Sequence, residues 1–176
     1  MIEILRLNHR LPRDCRITTH VALVARAFGA IKMYYSGQKD SEMEEGVNSV
    51  VKKFGGPFDI EHIDNAIRLI NEKKETYNIV HLTVYGLPYK KALNNLDKNI
   101  LVVVGGDKVE WDIYRSANYN LSVSSQPHSE VGALAIFLNE FHGDVKKFKN
   151  FKFQIIPNER EKVLKEFKWI YKRWLR

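Results

Sequence analysis

Two apolar runs that stop at glycine constrain this chain more than any other feature: "YNIVHLTVYG" (residues 77–86) and "NILVVVGG" (residues 99–106). Such a run offers water no polar face, so as a strand it must be covered on both sides. "IEILRL" (2–7), "IKMYYS" (31–36) and Tyr119–Val123 read as further strands. Between them lie helical stretches, and the alternation predicts an α/β fold, a mostly parallel sheet flanked by helices. No internal repeat or low-complexity tract interrupts it.

Local signals mark the helices. "TTHVALVARAFG" has Thr18 or Thr19 as a candidate N-cap and Gly29 as the residue that ends it. "SEMEEGVNSVVKKF" opens with acidic residues and closes with lysines, matching the helix dipole. "GGPFDIE" reads as a turn and a short extended piece. "HIDNAIRLINEKK", "WDIYRSA" and Val131–Leu138 read as helices. In "NEREKVLKEFKWIYKRWLR" (158–176), Asn158 and Glu161 resemble a capping box. Val163, Leu164, Phe167, Ile170, Tyr171, Trp174 and Leu175 then form one apolar stripe, which predicts an amphipathic C-terminal helix docked on the body.

Charge divides the chain unevenly. The formal net charge is +7. Residues 1–143 hold 17 Lys/Arg and 17 Asp/Glu, whereas residues 144–176 hold 11 and 4. A balanced body with a basic extension predicts an acidic partner met chiefly through the extension. No apolar run reaches the length of a membrane span, and MIEILRLNHR lacks a signal-peptide pattern. The one cysteine, Cys15, suits a reducing cytoplasm. Cys15 and the histidines at 9, 20, 62, 81, 128 and 142 show no paired ligand spacing, so no metal is expected.

In parallel sheets, ligands bind beyond the carboxyl ends of the strands. Three segments occupy such places: Tyr85-Gly86, Gly105-Gly106-Asp107-Lys108, and Ser124 to His128. The chain has no phosphate-binding G-x-x-x-x-G-K-[ST] loop and no G-x-G-x-x-G. From residue types, each segment is either an ordinary turn or a seat where main-chain groups meet a ligand.

"RDCRITTHVALVARAFGA" (13–30), "VHLTVYG" (80–86), "VVVGGDKV" (102–109) and "NYNLSVSSQPHSEVGALAIFL" (118–138) resemble, in order and spacing, the archaeal tRNA cytidine-56 2′-O-methyltransferase family of the SPOUT class. The resemblance spans roughly residues 1–143 and implies a methyltransferase domain there, with 144–176 as an extension. It implies a parallel sheet whose C-terminal part forms a trefoil knot, an obligate homodimer, S-adenosylmethionine as methyl donor, and tRNA as substrate. The cofactor loops it implies contain Leu82; Gly105, Gly106, Asp107, Lys108 and Val109; and Val123, Ser124, Ser125, Gln126, Pro127, His128, Ser129 and Glu130. Gly132 would let its helix approach another backbone closely.

Sister families that methylate ribose carry an arginine and an asparagine in their first motif. Here "AFGA" matches, but neither residue falls at that spacing. Arg16, His20 and Arg26 are the candidates, and Arg16 and Arg26 are the expected catalytic pair. Arg6, Arg10, Arg13 and Arg16 cluster beside His9 as candidate RNA contacts. Lys165, Lys168 and Lys172 would present a basic helical side to the tRNA backbone. A methyltransferase of this fold acting on another RNA nucleotide, or a non-catalytic RNA-binding module, is the alternative.

Overall fold

The computed structural model describes residues 1–106, 108–143 and 148–167. In chain order the elements are β1 (Ile2–His9), α1 (Cys15–Ala27), β2 (Lys32–Gly37), α2 (Ser41–Phe54), β3 (Asp59–Ile63), α3 (Ala66–Lys73), β4 (Asn78–Pro88), β5 (Ile100–Val104), α4 (Trp111–Ser116), β6 (Tyr119–Ser122) and α5 (Glu130–His142). A hairpin of β7 (Phe153–Ile156) and β8 (Val163–Glu166) follows. The first six strands form one parallel sheet in the order β3-β2-β1-β5-β4-β6.

The most apolar run takes the most enclosed place. Every residue of β5 is buried, and it pairs with β1 (Ile2↔Ile100) and β4 (Asn78↔Ile100). The two-residue period of a strand then sorts its side chains. Ile4, Val102 and Val104 meet Val21, Ala22, Ala25, Met43, Val47, Leu134 and Phe137 of α1, α2 and α5. Leu5, Leu7, Leu101 and Val103 meet Ile70 of α3 and Ile113 of α4 on the other face. Both faces are therefore dry.

Three sequence expectations are corrected. α1 begins at Cys15, not at Thr18 or Thr19. Both threonines are engaged otherwise: Thr18 Oγ1 lies 2.8 Å from His9 Nδ1, and the Thr19 hydroxyl donates to the Cys15 carbonyl at 2.8 Å. Gly29 does follow the C-cap, at φ +90°. Second, His62 and Ile63 complete β3, and α3 starts only after Asn65, whose side chain accepts from Arg68 N at 2.9 Å.

Third, the expected C-terminal helix does not form across its described part. Val163–Glu166 is a strand, antiparallel to Phe153–Ile156. Asn158 Oδ1 does accept from Arg160 N and Glu161 N, both at 3.0 Å, yet these bonds close a hairpin turn. The expected helix cap is a turn instead, and cross-strand pairing with a segment some ten residues earlier overrides the helical pattern. Residues 168–176, with Lys168 and Lys172, lie outside the described residues.

Candidate ligand cleft at the carboxyl edge of the sheet

A cleft of about 530 Å³ opens at the carboxyl edge, where β1, β4, β5 and the β6–α5 connection converge. That volume suits a nucleoside-sized ligand. Its walls are Leu82 to Tyr85, which lie within β4 rather than after it, Gly105-Gly106 with Val109 beyond β5, and Pro127-His128 with Glu130 beyond β6; of the expected Tyr85-Gly86 turn, only Tyr85 is among them. The two adjacent glycines do different work. A Cβ on Gly105 would stand 2.2 Å from Val109 Cγ2, so that glycine makes room for the protein's own side chain. A Cβ on Gly106 would meet nothing closer than Arg6 Nη1 at 3.6 Å, so that backbone faces open cleft. Gly86 permits a third close approach: its Cβ would fall 2.5 Å from the Leu121 carbonyl carbon, where the end of β4 crosses β6.

Arg6 forms the floor. It is 1% exposed, places Nη2 3.2 Å from Glu130 Oε1, and donates Nη1 to the Leu7 carbonyl at 2.6 Å. This corrects its reading as a surface RNA contact. On the rim, the buried Asp14 carboxylate accepts from Arg10 N at 3.2 Å and Arg10 Nε at 3.1 Å, and lies 3.8 Å from Arg13 Nε. Asp14 thus gathers two arginines at the cleft mouth. His81 is fully buried in the wall, with Nδ1 2.8 Å from Asn120 Oδ1 and its ring edge-on to Tyr114. Its Nε2 has no hydrogen-bond partner among the described residues. Burial lowers its pKa, partly offset by Asn120, so the ring sits neutral with a polar atom left for a ligand.

The sequence-derived residues separate accordingly. Leu82, Gly105, Gly106, Val109, Pro127, His128, Glu130, Arg10 and Arg13 line the cleft. Lys108, Val123, Ser124, Ser125, Gln126 and Ser129 do not. Ser124 Oγ accepts from Gln126 N, and Ser129 Oγ caps α5 by accepting from Val131 N, each at 3.2 Å. Their turn chemistry shapes the loop without lining the cleft. Asp107 lies outside the described residues.

Neither expected catalytic arginine lines the cleft. Arg16 is exposed in the first turn of α1. Arg26 is at the other end of that helix, toward the amino edge of the sheet. There Nε and Nη2 donate to the Gly55 carbonyl at 2.9 and 2.6 Å, and Nη2 to the Phe54 carbonyl at 2.6 Å. Its guanidinium stacks 4.3 Å from the Phe148 ring centre. Arg26 satisfies the terminal carbonyls of α2, and the expectation of a catalytic Arg26 yields to that structural role. Lys165 belongs to the hairpin; just before it, Lys149 pairs with Gly56 and Lys152 N donates to the Lys53 carbonyl at 2.9 Å, which ties that segment to the C-terminal end of α2.

Sequence reasoning missed Arg6, Asp14, His81 and Tyr114 as cleft residues. One signal could have found Arg6, since it is the only basic residue inside the apolar run "IEILRL".

Comparison with known proteins follows the same geometry. Residues 54–165 match the family model described as tRNA ribose 2′-O-methyltransferase, aTrm56. A tRNA (cytidine(56)-2′-O)-methyltransferase of Thermococcus kodakarensis is 46% identical over 171 residues, covering 92% of this chain and 95% of that protein. Among solved structures, the A. aeolicus TrmH/SpoU tRNA modifying enzyme superposes with a TM-score of 0.59 at 16% identity, over 80% of this chain and 73% of that one. The SpoU methyltransferase AviRb from Streptomyces viridochromogenes, in complex with AdoMet, gives 0.57 at 11% identity, over 80% and 56%. At such identities the structural likeness speaks for the fold.

Proposed function

The chain belongs to the aTrm56 family of tRNA ribose 2′-O-methyltransferases, and from that premise we propose how its cleft performs the reaction. The protein is an S-adenosylmethionine-dependent methyltransferase acting on the 2′-hydroxyl of cytidine 56 in tRNA; we place that nucleotide, in the T-loop, over the carboxyl-edge cleft. One observation carries this reading: three segments, distant in sequence, wall a single cleft beside an open Gly106 backbone and an unpartnered buried imidazole nitrogen. These features fit the cofactor. Gly105-Gly106, Leu82 and the 127–130 segment would hold it, and when bound it supplies an electrophilic methyl group.

This chain's residues do the rest. The Arg10–Arg13 pair, gathered by Asp14, holds fixed positive charge where the ribose oxygen gains negative charge. Guanidinium cannot take the hydroxyl proton, since it is already fully protonated. His128 lines the same cleft and points Nδ1 at the Ser129 carbonyl at 3.2 Å. A proton on Nδ1 leaves Nε2 a lone pair with which to accept that proton. Tyr85, 85% exposed at the wall, offers a face on which an unstacked base can rest. Arg16, exposed beyond Arg13, joins the RNA contacts of the rim.

Three family features belong to the same proposal. The close crossing at Gly86 is compatible with the trefoil knot. On α5, Gly132 has no described residue within 4 Å of its Cβ position, and Ile136, one turn on, is 48% exposed. This face gives a second copy room to pack, so Gly132 serves a homodimer rather than a contact within the protomer. Residues 1–143 act as the catalytic body and 144–176 as an RNA-facing extension, in the cytoplasm. Among the described residues no helix is long and apolar enough to cross a membrane.

The test is direct. Unmodified tRNA transcript incubated with methyl-labelled cofactor should carry one label, on the ribose of nucleotide 56. Gly106→Val should weaken cofactor binding at least 100-fold, about 2.7 kcal/mol, while leaving the apo melting temperature near that of the parent. Label on another nucleotide overturns the substrate. Unchanged affinity overturns the cofactor seat, and an active monomer in sedimentation overturns the dimer.

A further inference from the structure

Outside the cleft, three side chains of different type meet from three elements. His9 ends β1, Cys15 begins α1, and Asp40 immediately precedes α2. One ligating atom from each lies within 4.8 Å of the other two. His9 is 0% exposed, Asp40 is buried, and Cys15 is half-buried at the opening. We propose that His9 Nε2, Cys15 Sγ and Asp40 Oδ2 form a site for one divalent transition-metal ion of the zinc class.

Cys15 and His9 both face the Asp40 carboxylate, so the three side chains already point at one another. His9 Nε2 and Asp40 Oδ2 approach to 3.3 Å, yet Nε2 has no hydrogen-bond partner. At that ion-pair distance, though outside hydrogen-bond geometry, the two atoms are also spaced as two ligands of one ion are. Tetrahedral zinc, with bonds near 2.0–2.3 Å, holds its donors roughly 3.3–3.6 Å apart. The histidine–carboxylate pair already meets that spacing, and a side-chain rotation at the half-buried Cys15 brings in the third donor.

Outer contacts suit the same role. Thr18 Oγ1, 2.8 Å from His9 Nδ1, can accept its proton and leave Nε2 the lone pair that a metal needs. Asp40 spends Oδ1 on capping α2, accepting from Met43 N at 2.9 Å, so Oδ2 remains for the ion. One imidazole, one thiolate and one carboxylate match zinc's borderline preference, with water completing the tetrahedron. As the metal–sulfur bond forms, the thiol proton leaves to solvent and no redox change occurs.

The position gives the ion a consequence. His9 and Cys15 bracket residues 10–14, the loop that carries Arg10, Arg13 and Asp14 to the cleft. A metal joining β1, α1 and α2 would hold that loop's two ends.

Cobalt(II) reports on this directly, because the chain has a single cysteine and any thiolate-to-cobalt charge-transfer band must come from Cys15. The tag-free, metal-stripped full-length protein is titrated with cobalt(II), then with zinc(II). The expected result is saturation at one ion per chain, with a charge-transfer band that zinc abolishes. Cys15→Ser should lose the band, and also the rise in melting temperature that zinc gives the parent. Asp40→Asn keeps an N-cap residue and should bind cobalt at least tenfold more weakly. Absence of stoichiometric binding, binding without the charge-transfer band, zinc stabilisation that survives Cys15→Ser, or undiminished affinity in Asp40→Asn each overturns the site.

Discussion

Positive charge is handled in opposite ways at the two edges of the sheet. At the carboxyl edge, Arg6 is buried against Glu130, and Arg10 and Arg13 converge on the buried Asp14. At the amino edge, the hairpin's Lys162 and Lys165 are exposed, and Lys152 pairs with Glu166 at 3.4 Å on the surface. Charges held by buried partners cannot relax, so they can act at a defined point in a reaction. Hydrated lysines are screened beyond about 10 Å at 0.1 M salt, so they serve attraction rather than placement.

Removing Arg6 should give the largest effect. Arg6→Ala leaves Glu130 facing the cleft without its partner, and urea titration should find the protein about 3 kcal/mol less stable. If stability is unchanged, the floor of the cleft is not held by this pair. Arg13→Ala and Arg10→Ala should next lower kcat about 100-fold each, as loss of one preorganised charge does, with a smaller change in tRNA affinity. A loss confined to KM would make them binding residues and erase the contrast with the hairpin.

Arg26→Ala tests the amino edge. Losing charged bonds to two carbonyls should cost about 2 kcal/mol of stability, with kcat intact in the folded protein. Should kcat fall while melting stays put, the catalytic expectation for Arg26 is restored. Lys165, Lys168 and Lys172 changed together to Gln should flatten the salt dependence of tRNA binding. Each lost phosphate contact lowers the slope of log K against log salt by up to roughly 0.9 on a duplex. An unchanged slope would make the extension structural and shift RNA attraction to Arg10, Arg13 and Arg16.

His81 sets the smallest effect. Its pKa is lowered in the folded protein, so the unfolded chain binds its proton more tightly. Stability is therefore full above the unfolded value near 6.5 and falls as pH drops from there toward the folded value, by at most about 1.4 kcal/mol per pH unit. Melting curves between pH 8 and 5 should show this fall, and His81→Gln should flatten it. Identical curves would mean that the imidazole is not confined as described.

The sequence by itself determined the sheet, because dry strands such as Ile100–Val104 fit nowhere else, and it located the three candidate segments because parallel strands end where ligands bind. Family resemblance is what proposes them as a cofactor seat rather than turns. Partner choice at long range was legible from neither. Val163–Glu166 has a helical stripe and a cap, and became a strand because Phe153–Ile156 was there to pair with it. Arg26 looked available for catalysis until the Phe54 and Gly55 carbonyls arrived beside it. His9, Cys15 and Asp40 lack any ligand spacing along the chain, and meet only because β1, α1 and α2 bring their ends to one edge. Periodicity and capping are properties of neighbours in sequence; a buried charge, a cross-strand register and a ligand set belong to neighbours in space, and only the tertiary structure brings those together.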